Sequence, residues 1–195
     1  MQNNDVQKKE IIVRAAKELF FRFGFSKTSM EDIAGESGLA KPTLYYYYEN
    51  KEAIFNEIVL EEAHNFIGRL DKVIAADIPA DEKIRRFYQT VYKNLQTYAA
   101  ELNELPESLC AHSPHGQPVI NKIHEMLMSR LKTLLESGMR EGVFEIKDKQ
   151  AYTSTLLYMT GFLNLQWMRH EPEKLRNMVI NSMIDILLNG LKRRP

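Results

Sequence analysis

Only three residues, Gly38-Leu39-Ala40, separate two stretches that each have room for one short helix, and this spacing constrains the fold more than any other feature of the chain. In the first stretch, FSKTSMEDIAGES, Ser29 followed by Asp32 resembles a capping box, with Ile33 and Ala34 turned inward and Gly38 free to take a positive φ. The second, KPTLYYYYEN, holds four consecutive tyrosines, Tyr45 to Tyr48. Aromatic residues fit a pleated strand as readily as a short helix. The flanks favour a helix. Pro42 suits a first turn, where its missing N–H costs nothing, and no neighbouring segment alternates with the period of two that a partner strand would need.

The surrounding chain reads as helical throughout. Over 6–23 the apolar residues Ile11, Ile12, Ala15, Ala16, Leu19, Phe20 and Phe23 follow the i, i+4 spacing of an amphipathic helix, with Asn3, Asn4 or Asp5 as caps and Gly24 as the stop. Asn50 is expected to cap a long helix ending near Ala76, roughly 40 Å at 1.5 Å per residue. Further helices are expected over 80–100, 105–111 and 118–141, from Asp148 to about His170, and from Pro172 to about Leu191. The class is therefore all-α, with about nine helices.

Composition narrows the function classes. The 26 basic residues balance 26 acidic ones, so a nucleic-acid reading must rest on geometry rather than bulk charge. The single cysteine, Cys110, excludes an intramolecular disulfide framework and is either a redox switch between two chains or, most simply, an ordinary small buried or half-buried residue. No apolar run approaches the roughly 18 residues of a membrane span, and MQNNDVQKKE lacks the apolar core of a signal peptide, so a cytoplasmic protein without membrane contact is expected.

Residues 20–55, FFRFGFSKTSMEDIAGESGLAKPTLYYYYENKEAIF, resemble the DNA-binding domain of the tetracycline-repressor (TetR) family of bacterial transcription regulators. The matching features are Gly24-Phe25, Thr28-Ser29, Ile33-Ala34, Gly38-Leu39, Thr43-Leu44-Tyr45, Tyr48, and Asn50-Lys51-Glu52 before Ile54-Phe55. The resemblance implies a three-helix helix-turn-helix domain over 6–66 and a larger helical ligand-binding and dimerisation domain over 67–195. It implies a homodimer that binds a palindromic double-stranded DNA operator, as a repressor released by a small-molecule effector. No cofactor and no metal are expected.

On a helical wheel Leu44 and Tyr48 share the core face, Tyr45 lies at its border, and Pro42, Thr43, Tyr46 and Tyr47 face away. The resemblance gives those outward positions work: Pro42, Thr43 and Tyr46 against bases or sugars, and Tyr45, Tyr47 and Lys51 against phosphates, beside Thr28 and Ser29 at the start of the preceding helix. A phenol donates to phosphate without net charge, and the first turn of a helix favours an anion. Lys41 is the candidate for guanine O6 and N7. Glu31 stands where many members carry a basic residue, and it either accepts from a cytosine amine or is simply solvated.

In the larger domain Tyr88, Tyr92, Phe162 and Trp167 either line an apolar ligand pocket or fill ordinary core. Leu156, Met159, Leu163, Met183, Ile186 and Leu187 either pair two copies through the last two helices or fill one copy's core. Cys110, His112 and His115 form a C-x-H-x-x-H cluster compatible with zinc, although Pro114 and Gly116 make a surface turn equally natural. Two rivals differ in class. A ligand or metal sensor that does not act on DNA would share the helical body. An enzyme finds no support, because G-x-S-x-G, P-loop, H-E-x-x-H and Gly-rich dinucleotide signatures are all absent from the sequence.

Overall fold

A computed structural model of the chain describes residues 2–101, 116–161 and 170–192. Among them are eight α-helices: α1 (Gln2–Phe23), α2 (Met30–Ser37), α3 (Lys41–Tyr47), α4 (Lys51–Ala75), α5 (Ala80–Glu101), α6 (Gln117–Arg140), α7 (Lys149–Gly161) and α8 (Glu173–Leu191), with a 3-10 turn at Phe25–Lys27. The described residues form no strand, only an isolated antiparallel bridge between Phe144 and Lys192. The helix expected over 105–111 lies outside the described residues.

The chain divides into two compact units, Met1–Ala63 with Pro106–Asn121, and His64–Leu105 with Lys122–Pro195. The first is here called the head and the second the body. In the head, Ile12, Ala16, Leu19 and Phe20 of α1, Ile33 of α2, Leu44 of α3 and Ile54 and Ile58 of α4 share one buried core. The rings of Phe20, Phe25 and Phe55 close it, with centroids 5.0–5.7 Å apart in tilted and edge-on contacts.

Local chemistry sets the head's helix ends. Gly24 takes φ 87°, and its N–H returns to the Phe20 carbonyl at 2.9 Å, which stops α1 where a Cβ would be strained. The helix begins earlier than expected, so Asn4 and Asp5 lie within its first turns rather than capping it. Ser29 and Asp32 form the reciprocal capping box of α2. Gly38 closes the same helix at φ 67°: its N–H reaches the Gly35 carbonyl and the Leu39 N–H reaches Ala34, the two bonds of a Schellman motif. Pro42 sits in the first turn of α3, and the Asn50 side chain accepts from the Ala53 N–H at 2.8 Å to cap α4.

The body has its own core, in which Ile84, Phe87 and Tyr88 of α5, Leu131, Leu134 and Leu135 of α6, and Ile184 of α8 are all fully buried. A second Schellman motif ends α6 at Gly142, with φ 72°: the Gly142 N–H returns to the Met139 carbonyl and the Val143 N–H to that of Gly138, which also accepts from the Phe144 N–H. The Phe144 ring lies over Gly138, so a Cβ built there would fall 2.0 Å from it. Asp148 caps α7 through the Ala151 N–H at 3.0 Å.

Candidate nucleic-acid interface

The tight turn at Gly38 holds α3 beside α2 as the second helix of a helix-turn-helix. Leu44 anchors α3 in the head's core, fully buried. From that anchor the tyrosines take four different environments. Tyr46 is 78% exposed and Tyr45 44% exposed, beside an exposed Pro42 and a half-buried Thr43. These residues and Lys41 form the outward face of α3.

Tyr48 is 5% exposed and joins the core, as its position beside Leu44 leads one to expect. It stands just past the helix, at φ −139° and ψ 124°. Its hydroxyl donates to Glu57 Oε2 at 2.7 Å, and the Lys9 ammonium lies 5.6 Å from its ring centroid. Burial first, and the Glu57 carboxylate second, push its phenol well above the usual tyrosine range.

Tyr47 does not join the outward face. It is half-buried against the head's core, and its hydroxyl donates to Asp5 Oδ1 at 2.6 Å. That bond to a carboxylate pushes its phenol up to about 12. Its ring meets Tyr46 edge-on at 5.0 Å. Asp5 and Glu57, which fix the tyrosines from α1 and α4, are structural partners that no local rule of spacing singles out.

Three other expected contact residues are likewise committed internally. Thr28 is buried, and its hydroxyl donates to the Gly24 carbonyl at 3.0 Å, so its side chain is absent from the surface. The Ser29 hydroxyl donates to Asp32 Oδ2 at 2.6 Å and accepts from the Asp32 N–H; its bond to the carboxylate, with that of the Ser29 backbone N–H to the same oxygen, holds the Asp32 carboxyl below its ordinary value. The Lys51 ammonium does not point to solvent for a phosphate. It donates to the Phe25 and Thr28 carbonyls, both at 2.9 Å, and rests 4.6 Å from the Phe25 ring centroid. Lys51 therefore clamps the 3-10 turn that enters α2.

Lys41 is exposed and forms an ion pair with Glu31, so Glu31 is neither isolated nor merely solvated. The bond holds the Glu31 carboxyl below its ordinary range and raises the Lys41 ammonium. The outward face thus presents two phenols, a proline ring and one cation–anion pair, a set suited to bases and phosphates together.

In the body Tyr88 is fully buried and its hydroxyl donates to the Leu156 carbonyl at 2.7 Å. Tyr92 is also buried, but its hydroxyl has no partner among the described residues. Phe162, Leu163, Trp167, Cys110, His112 and His115 lie outside the described residues. Of the residues expected to pair two copies, Leu156 is 2% and Leu187 7% exposed, so both belong to the body's own core. Ile186 is 72% exposed and Met183 and Met159 half-buried. These three, with Leu175, Met178 and Val179, line an apolar groove of about 510 Å³. No helix among the described residues is long and apolar enough to cross a membrane.

Residues 12–58 match the model of the bacterial regulatory proteins of the tetR family. An uncharacterised HTH-type transcriptional regulator, YhgD of Bacillus subtilis, is 23% identical over 167 residues, covering 86% of this chain and 87% of its own. The fatty acid metabolism regulator protein of the same organism is 23% identical over 188 residues, 94% of this chain and 95% of its own. Among solved structures, the transcriptional regulator FadR of Bacillus subtilis in complex with stearoyl-CoA superposes with a TM-score of 0.67 at 21% identity, covering 93% of this chain and 98% of that one.

Proposed function

We propose that the chain, whose residues 12–58 match the model of the tetR family of bacterial regulatory proteins, is a DNA-binding transcriptional regulator of that family and acts as a homodimeric repressor that grips a palindromic operator with α3 of each copy in the major groove. In this reading residues 6–66 supply the DNA contacts, and 67–195 supply effector binding and dimerisation. The observation that carries the reading is the outward face of α3, where Lys41, Pro42, Tyr45 and Tyr46 stand exposed on a helix anchored from behind by Leu44. In this reading Pro42, Thr43 and Tyr46 meet bases or sugars and Tyr45 a phosphate. Thr28, Ser29, Tyr47 and Lys51 act by holding the surface in shape, and the backbone N–H groups of Lys51 and Glu52, next to the Ala53 N–H that Asn50 caps, receive a phosphate.

The pairing surface is the apolar groove of α8 with Met159 of α7, because an exposed apolar row of this kind is rare on a monomer. The effector is a small-molecule ligand with an apolar chain and a polar end, its apolar part held in the body near Tyr88 and Tyr92, with Phe162 and Trp167 as further candidates. The unpartnered Tyr92 hydroxyl supports this, since buried polar groups are normally satisfied. The fatty acid metabolism regulator and the stearoyl-CoA complex make a long-chain acyl-CoA the first ligand to try. A protein of this kind works in the cytoplasm, where its operator is.

A nuclease footprint on the DNA upstream of its own gene tests the reading. Protection of two half-sites about one helical turn apart, weakened by acyl-CoA, is the expected result. No protection at low salt by a dimeric sample would sink it. Ile186→Asp should leave the protomer folded, give monomers on sedimentation, and lose the footprint.

A further inference from the structure

Glu31 and Lys41 are the two charged side chains that α2 and α3 bring together on the outward face, and they are joined to each other. The other acid of the same turn, Asp32, is already engaged with the Ser29 hydroxyl and backbone N–H. Pro42 follows Lys41 directly and fixes φ in the first turn of α3. The pair is about half exposed on both sides, and such surface pairs add little to folding stability. Its placement calls for another use. A carboxylate is acceptor-only and an ammonium donor-only, so the two side by side present one acceptor next to a cluster of donors.

Resting on the reading of α3 as the recognition helix, we propose that the Glu31–Lys41 pair reads a single C·G base pair as one unit. Glu31 accepts from the cytosine N4 amine and Lys41 donates to guanine O6 and N7. In the major groove a C·G pair displays its donor at one side and two adjacent acceptors at the other, which matches a carboxylate beside an ammonium. An A·T pair instead flanks its one donor with an acceptor on each side, which separates the two acceptors that a single ammonium would bridge. The ion pair also keeps the flexible lysine stem in place before DNA arrives, so less side-chain freedom is lost on binding.

The test starts from duplexes that the wild-type protein selects from a random-sequence library. Binding of every single-base-pair variant of the selected site is then measured at one fixed salt concentration. The expected result is one C·G position at which any other pair weakens binding by about tenfold or more. Glu31→Ala and Lys41→Ala should each erase the preference at that same position, and the double variant should do no more than the stronger single. The charge-reversed Glu31→Lys/Lys41→Glu protein keeps an ion pair and should favour G·C there. Preferences lost at two different positions would overturn the proposal, as would an even loss across all sequences with a shallower salt dependence, the mark of a phosphate contact. Failure of the wild type to select any duplex would instead sink the DNA-binding reading on which the proposal rests.

Discussion

In the head, Thr28, Ser29, Tyr47, Tyr48 and Lys51 each close a hydrogen bond onto another part of the same unit. The body instead leaves Leu175, Met178, Val179 and Ile186 of α8 facing outward and a buried Tyr92 hydroxyl without a partner among the described residues. The contrast separates two ways of being unfinished. The head's outer surface is held rigid by contacts behind it, and what it lacks is a partner of defined hydrogen-bonding pattern. The body lacks apolar cover and one acceptor or donor, which in the proposed reading a second copy and a small molecule supply.

The largest effect expected on the fold itself lies at Gly138. Its missing Cβ leaves room for the Phe144 ring, and the nearest ring atom would stand 2.0 Å from an added methyl. The ring has little freedom to retreat, because the Phe144 N–H is bonded to the Gly138 carbonyl and the next residue, Glu145, donates to Leu191. Gly138→Ala should cost about 1–3 kcal/mol, as overpacking does. In calorimetry it should lower the body's transition and leave the head's in place. An equal shift of both would break the comparison, since it would mean that the two units unfold together.

Lys51 offers the next test. Lys51→Met keeps the apolar stem but removes the donors from the Phe25 and Thr28 carbonyls, and should destabilise the head by about 1–2 kcal/mol. DNA affinity should fall because the entry to α2 loosens. The slope of log affinity against log salt should stay unchanged, whereas loss of a phosphate contact would reduce it by about 0.9. A reduced slope would return Lys51 to the phosphate role that its sequence position suggests.

The head's helix ends are legible in the sequence because each is set by residues a few places apart: Ser29 with Asp32, Gly38 with Ala34, Asn50 with Ala53. Placement departs from expectation where a partner is distant. Tyr47 is bonded to a residue 42 positions earlier and Lys51 to carbonyls 23 and 26 positions away. Wheel geometry places Tyr47 off the core but says nothing of a carboxylate supplied by α1. In the body the difficulty differs. Leu187 points inward and its neighbour Ile186 outward, and both are equally apolar, so composition cannot choose the face. Thr28 carried a usable local signal, since its hydroxyl reaches back four residues to Gly24, a common alternative to solvent for threonine.

Tyr47 sharpens the contrast through pH. An unfolded tyrosine titrates near 10, and in the folded head the Asp5 carboxylate raises the phenol to about 12. A raised folded value means that the bond's contribution is complete below pH 10 and is lost as pH climbs towards 12. Tyr47→Phe should therefore make the head's alkaline loss of stability shallower across that window, followed by circular dichroism during denaturant melts. The residual slope belongs to Tyr48 and Lys41, both raised in the same direction. An unchanged slope would mean that the bond to Asp5 does not hold in solution.

The smallest expected effect is a gain. Gly35 lies inside α2 and has nothing within 4 Å of the place its Cβ would take, so alanine meets no obstacle there. Replacing a helical glycine by alanine reduces the freedom of the unfolded chain and should stabilise by about 0.5–1 kcal/mol. Gly38, three residues later, is equally open but sits at φ 67°, so the same substitution there should destabilise by strain alone. The pair separates space from backbone conformation at one helix end. Gly35→Ala should raise the head's transition only, opposite in sign to Gly138→Ala in the body. If Gly35→Ala lowered it, some neighbour unseen at that surface would have to occupy the open space, and the outward side of α2 would no longer be free to approach DNA.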